Sequence, residues 1–255
     1  MRVLMVFDFD HTLVDDNSDT WVIKCLPGET LPDSVRLSYR KGHWTEFMGR
    51  VMSHIGEQRV SAEQIRVVME TIPFTAGMPE LLSFIAQNKN AVDCIVVSDS
   101  NSVFIHWILA AAGLGSAVDQ VFTNPAEFGP SGALEVRPHH DHACPSCPVN
   151  LCKRAVLEEF LARRAAAGTG YGRVLYVGDG GNDLCPTAAL RGHDVALPRR
   201  GYSLEKLLAR QEVQDQQDQQ NKQGAQDGAP LRARVVPWSS GAEVLQELKD
   251  AMTAL

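Results

Sequence analysis

The sequence predicts a doubly wound α/β fold, a parallel sheet with helices on both faces and a helical cap inserted after the first strand. Three observations carry that expectation. Short apolar runs recur, each followed by a turn and a helical pattern. They lack polar alternation, which suits strands buried on both faces of a parallel sheet. A long stretch between the first two runs holds helical patterns and no convincing strand.

The first run, Val3–Phe7, stops at Asp8 and reads as strand one. Residues 14–74 follow as the cap, with helical segments at 44–55 and 62–71. Pro73 and the Gly77-Met78-Pro79 turn mark the return to the core, taken as 1–13 and 75–255. Further strands are expected at Cys94–Val97, Val174–Val177 and Val195–Leu197. Helical patterns lie around 77–88, 101–112, 150–167 and 183–190, and a last one runs from about 240 to 252. That alternation gives a Rossmann-like arrangement. Residues 211–229 contain eight Gln and almost no large apolar side chain, so they are expected to form a disordered loop within the core.

Bulk composition narrows the function. A chain of 255 residues with 44% hydrophobic and 22% charged residues can bury a sizeable core. Asp plus Glu outnumber Lys plus Arg 31 to 24, and no basic block stands out, which argues against nucleic acid or anionic membrane as partner. No apolar run approaches the ~18 residues of a membrane span. The apolar start is too short for a secretory core, so the protein is expected to be cytoplasmic, with its six cysteines reduced.

The chemistry concentrates at strand ends. Alternation sends Asp8 and Asp10 to the same side just where strand one finishes. Open parallel sheets bind ligands outside such ends. Two carboxyls can divide the work of phosphomonoester hydrolysis, one attacking phosphorus and one protonating the departing oxygen. Alone, the pair equally suits metal binding or turn stabilisation. A second acidic loop, Gly178-Asp179-Gly180-Gly181-Asn182-Asp183, also follows a strand. Its spacing is not that of a dinucleotide loop, and its acids would repel a pyrophosphate. A tight turn with Asp183 near a helix N-terminus is the alternative, and it accounts poorly for both acids. If all four acids converge, like charges ~4 Å apart cost about 4 kcal/mol per pair at an effective dielectric near 20. Magnesium removes that cost and also binds a phosphate oxygen. Ser98 ends a strand and can donate to a phosphoryl oxygen; Lys153 opens a helix and can neutralise developing charge.

The series Asp8-x-Asp10-x-Thr12, Ser98, Lys153 and GDGGND resembles the haloacid dehalogenase superfamily over nearly the whole chain. That resemblance implies Asp8 as nucleophile and Asp10 as general acid–base. It implies magnesium held by Asp8, the backbone carbonyl of Asp10 and Asp179, with Asp183 orienting the site. Longer stretches, VDDNSDTW (14–21), SYRKGHWTEFMGRV (38–51), VSDSNSVFIHW (97–107) and CPVNLCK (147–153), are similar to a narrower family. It comprises the phosphoethanolamine/phosphocholine phosphatases and their pyridoxal phosphate phosphatase relatives, and the details lie nearer the latter branch. By the same resemblance Asp19 and Asp99 contact substrate; read from sequence alone, each is equally a helix cap.

The expected function is therefore a magnesium-dependent phosphatase of a small phosphorylated metabolite, working through an aspartyl-phosphate. Pyridoxal 5′-phosphate is the first substrate, with phosphoethanolamine or phosphocholine as the alternative. The rival readings are a phosphotransferase, or a non-catalytic protein that binds a phospho-ligand or signals. A separate cluster, His139, His140, His142, Cys144, Cys147 and Cys152, offers zinc-type ligands. His140, His142 and the three cysteines are the candidate set, although C-x2-C lacks a second compact half-site. Reduced thiols and histidines packed in a loop are the alternative.

Overall fold

The computed structural model describes residues 1–40, 43–221 and 231–254. Strand β1 (Arg2–Phe7) is the centre of the sheet, and from Val3 onward its side chains are fully buried. Val3, Met5 and Phe7 face one apolar core while Leu4 and Val6 face the other, the two-sided burial that an unbroken apolar run requires. The further strands are β2 (Val92–Asn101), β3 (Gln120–Asn124), β4 (Ala126–Phe128), β5 (Leu134–Val136), β6 (Tyr171–Gly178), β7 (Val195–Pro198) and β8 (Arg234–Val235).

Six of them form one sheet in the order β3-β2-β1-β6-β7-β8, paired in parallel throughout. The doubly wound sheet is thus as the sequence predicts. Phe7 lies level with Val96 on one side and Val177 on the other, so three carboxyl ends finish together. The chain leaves β1 for β2 on one flank and later returns to β6 on the opposite flank. Such a reversal opens a crevice at the carboxyl ends.

The sheet is wider than its apolar runs suggest. β3 carries Gln120, Thr123 and Asn124 at one edge, and β8 is two residues long at the other. Edge strands bury less and need no continuous apolar run. The short antiparallel hairpin β4–β5 was equally invisible as a pattern.

Ten α-helices are described: α1 (Ser18–Trp21), α2 (Asp33–Arg36), α3 (Trp44–Glu57), α4 (Ala62–Met69), α5 (Met78–Gln87), α6 (Ser102–Ala111), α7 (Lys153–Ala166), α8 (Leu184–Thr187), α9 (Ser203–Asn221) and α10 (Gly241–Thr253). α1 to α4 lie in the stretch 14–74, whose two ends are tied by a Val14–Phe74 bridge and by Thr75 N–H donating to Leu13 O (3.0 Å). α3 buries Phe47, Met48, Val51, Met52 and Ile55, one face of a 3.6-residue period. Gly56 lets α3 approach the β4–β5 hairpin, because a Cβ there would lie 2.9 Å from that of Ala133. α4 opens with a capping box between Ser61 and Gln64.

Two glycines join α5 to α10. Gly77 takes φ 80°, and a Cβ on Gly241 would lie 2.3 Å from the Gly77 carbonyl. The glutamine-rich segment differs from the loop expected at 211–229, since α9 continues through 211–221. Gln and Glu are good helix formers, so propensity extends a helix past its apolar stripe. The rest of that segment, 222–229, lies outside the described residues. No described helix is long and apolar enough to cross a membrane.

Candidate active site

At the end of β1 the Asp8 N–H still donates to Val177 O at 2.9 Å, so strand pairing fixes where its side chain points. Asp8 is buried; its Oδ1 accepts from Phe9 N (2.6 Å) and its Oδ2 lies 2.6 Å from Lys153 Nζ. Lys153, the first residue of α7, is 1% exposed and also reaches Asp183 Oδ1 at 2.7 Å. Desolvation pushes the Asp8 carboxyl well up, against Lys153 and with the charges of Asp183 and Asp179 adding to the rise. Although burial opposes it, the pull of Asp183 and Asp8 raises the Lys153 ammonium above its ordinary range. Lys153 is therefore charged.

Asp183 has no free oxygen. Oδ1 also accepts from Tyr176 Oη (2.7 Å), while Oδ2 accepts from Asp179 N (3.1 Å) and Gly180 N (2.9 Å). It holds the shape of the GDGGND loop and the position of Lys153. Gly178 is obligatory beside it, because a Cβ there would lie 2.5 Å from Asp183 Oδ2. Asp179 is held more lightly, by Thr12 Oγ1 at 3.3 Å. Burial, then repulsion from Asp183, pushes Asp179 to about 7.

Asp10 is placed differently. Its Oδ1 accepts from Ser18 N (2.9 Å) and its Oδ2 from Ser18 Oγ (3.1 Å), and Ser18 Oγ pairs with Ser100 Oγ at 2.7 Å. Burial, then the charge of Asp19, pushes Asp10 to about 8. A carboxyl so placed carries a proton at neutral pH and can donate it. The carboxylate oxygens of Asp8, Asp179 and Asp183 lie within 4.8 Å of one another, a group that does not include Asp10. Its side chain is held by Ser18 instead.

Asp8, Asp10, His11, Asn17, Trp44, Ser98, Asp99, Asp179, Gly180 and Asn182 line one cavity of about 330 Å³ at the strand ends. Ser98 is buried and accepts from Ser100 N at 3.2 Å. Asp99 accepts from Asn182 Nδ2 (2.6 Å) and Asn150 Nδ2 (3.2 Å). Asp19 accepts from Trp44 Nε1 at 2.7 Å and, through burial, is pushed to about 6. Neither Asp19 nor Asp99 caps a helix. Asn17 caps α1 by accepting from Thr20 N, and Asn101 caps α6 by accepting from Phe104 N.

The sequence reading missed Trp44, Asn17, Ser18, Ser100, Tyr176 and Asn182 as partners. Asn17, Ser18, Trp44, Ser100 and Asn182 stand inside stretches already singled out, without a role given to them there, and Tyr176 lies within a predicted strand. His11 also stands out, with φ 52° and its backbone O accepting from Arg199 Nη1 at 2.5 Å. The expected zinc set changes as well. Sulfurs of Cys144, Cys147, Cys152 and Cys185 gather within 4.8 Å of one another. His140 Nε2 instead accepts from Cys152 N (3.1 Å), and His142 turns Nε2 to Pro148 O (2.7 Å) and accepts from Cys144 N (3.2 Å) through Nδ1. Both histidines hydrogen-bond within the loop, and the sulfur group includes Cys185 in their place.

Comparison with known proteins bears on this geometry. A family model described as "Putative Phosphatase" matches residues 3–252. The pyridoxal phosphate phosphatase PHOSPHO2 of Bos taurus is 48% identical over 98% of both chains. The phosphoethanolamine/phosphocholine phosphatase of Homo sapiens is 40% identical over 98% of this chain and 90% of its own. Among solved structures, a substrate-bound phosphoserine phosphatase superposes with a TM-score of 0.52 at 16% identity, covering 82% of this chain and 98% of that one.

Proposed function

The chain belongs to this family of haloacid dehalogenase-like phosphatases and hydrolyses phosphate monoesters, and from that premise we propose that Asp8 is its nucleophile and pyridoxal 5′-phosphate its substrate. One observation carries the chemical part. A carboxylate held by a buried lysine and a proton-bearing carboxyl line the same cavity.

An Asp8 oxygen attacks phosphorus, and the bond between phosphorus and the alcohol oxygen breaks as Asp10 gives that oxygen its proton. Water then attacks the aspartyl-phosphate, Asp10 takes the water's proton, and phosphate leaves with Asp8 restored. Lys153 offsets charge on the transferring group, while the Ser98 hydroxyl donates to one of its oxygens. Asp183 positions Lys153.

The residues fit a hard divalent cation. Three buried carboxylates meet one ammonium, and burial, with repulsion among the acids added to it, raises Asp8 and Asp179. Asp8, Asp179 and the backbone carbonyl of Asp10 would hold magnesium. When bound, it neutralises phosphoryl oxygens and keeps Asp8 ionised.

Residues 14–74 act as the cap, contributing Asn17, Asp19 and Trp44 to the leaving-group side. The substrate choice rests on the 48% identical relative and on the Trp44 indole in the cavity wall, a flat surface suited to an aromatic ring. A second reading has its own support. Asp19 and Asp99 would also suit a cationic alcohol such as ethanolamine or choline, as the name of the 40% identical relative suggests. The deciding experiment measures phosphate release from the three esters, with magnesium or EDTA, by wild type and Asp8→Asn. Magnesium-dependent turnover lost in the variant is expected, with pyridoxal 5′-phosphate preferred. Equal activity in Asp8→Asn would remove Asp8 as nucleophile.

A further inference from the structure

Outside the carboxylate site, one group of side chains has the makings of a built metal centre. Cys144 and Cys147 come from the loop before α7, Cys152 precedes Lys153, and Cys185 lies in α8 just past Asp183. Their four Sγ atoms lie within 4.8 Å of one another, and Cys144 Sγ is 3.8 Å from Cys185 Sγ. All four are free thiols. A disulfide needs sulfurs ~2.05 Å apart. By contrast, four thiolates bound tetrahedrally at ~2.3 Å sit about 3.8 Å from one another.

From this sulfur arrangement we infer that the protein carries a structural zinc ion coordinated by Cys144, Cys147, Cys152 and Cys185.

Local chemistry agrees. Cys144, Cys147 and Cys185 lie close enough to neighbouring sulfurs to feel them. Cys144 is drawn down, chiefly by the Ser146 N–H, whereas burial pushes Cys185 to about 11 and Cys147 higher. Zinc displaces four protons to solvent and leaves a centre of net charge −2. Arg154 faces it closely enough for the Cys185 and Cys152 sulfurs to raise the guanidinium, after the larger effect of Glu158. His140, by accepting from Cys152 N, helps aim that cysteine without being a ligand.

The centre would join two segments that hold the phosphatase site. Cys152 adjoins Lys153, and Cys185 is two residues beyond Asp183, so the ion would brace the 2.7 Å Lys153–Asp183 pair from behind. It takes no part in phosphoryl transfer, and its existence does not depend on the substrate or on Asp8 being the nucleophile.

The test is metal analysis of full-length protein purified reduced and without a His tag, then dialysed against a mild chelator. About one equivalent of zinc per chain is expected, and Cys185→Ser and Cys147→Ser should each hold less than half of that. Cobalt in place of zinc should give intense thiolate charge-transfer absorption, which reads the sulfur ligands even where a variant folds poorly. Less than half an equivalent in folded wild type, after a zinc-supplemented refill, would overturn the assignment. So would a Cys144–Cys185 disulfide in that refilled protein, or cobalt spectra without sulfur bands.

Discussion

Lys153 is sandwiched between two carboxylates with almost no water contact, and its loss would leave both acids buried without a counter-ion. Lys153→Met is therefore expected to lower stability by about 3–5 kcal/mol as well as activity, checked by urea unfolding. A stability unchanged within ~1 kcal/mol would mean that the acids find protons or a cation instead. Those acids also tie stability to pH. Asp10, Asp179 and Asp19 are pushed to about 8, about 7 and about 6, whereas in the unfolded chain they ionise near pH ~4. Between those limits the folded state keeps protons that the unfolded state has lost, so stability falls as pH rises. The melting temperature in EDTA should drop from about pH 5.5 to about pH 8.5, and magnesium should flatten that fall. A level profile in EDTA would contradict the raised carboxyls. Single residues were also where the sequence was most legible. Asp8 and Asp10 end an apolar run, and Asp179 ends another. Their partners were not legible, because Trp44 reaches Asp19 from another helix and Tyr176 lies buried within a strand.

The helices and strands hold those residues through close approaches rather than through propensity. α10 begins against the turn into α5, where Gly241 meets the Gly77 carbonyl with no room for a methyl group. Gly241→Ala should cost on the order of 1–3 kcal/mol by forcing the two helices apart. Its kcat should change little, since neither helix reaches the cavity; a large kcat loss with unchanged stability would refute that separation. The helical stretch 14–74 has its own test in the α4 capping box, where Ser61→Ala is expected to cost about 1 kcal/mol. Central strands were readable because both faces are apolar. β3, β8 and the β4–β5 hairpin were not, since edge position and short length leave little pattern. The sulfur cluster shows the same boundary: His140 and His142 have ligand-like spacing, but Cys185 joins across 33 residues of sequence from Cys152 only after the sheet has folded.

At the scale of the molecule, magnesium is expected to act as a ligand of the folded state. A millimolar excess should raise the melting temperature of wild type more than that of Asp179→Asn, measured at one protein concentration and pH. An equal rise in both would place the cation elsewhere. The central place of β1 has a further consequence, in time rather than in space. Its partners are Val92–Val96 on one side and Tyr171–Val177 on the other, the second about 170 residues downstream. At ~5–20 residues per second, a ribosome takes on the order of 10–30 s to deliver that second neighbour. Throughout this interval the first strand made has an open edge, an apolar surface and, in Asp8, a carboxyl without its lysine. Fragments that stop before β6 should aggregate rather than work slowly. The newborn chain is thus safest where a chaperone meets it early, and no catalysis is expected until most of it has been translated.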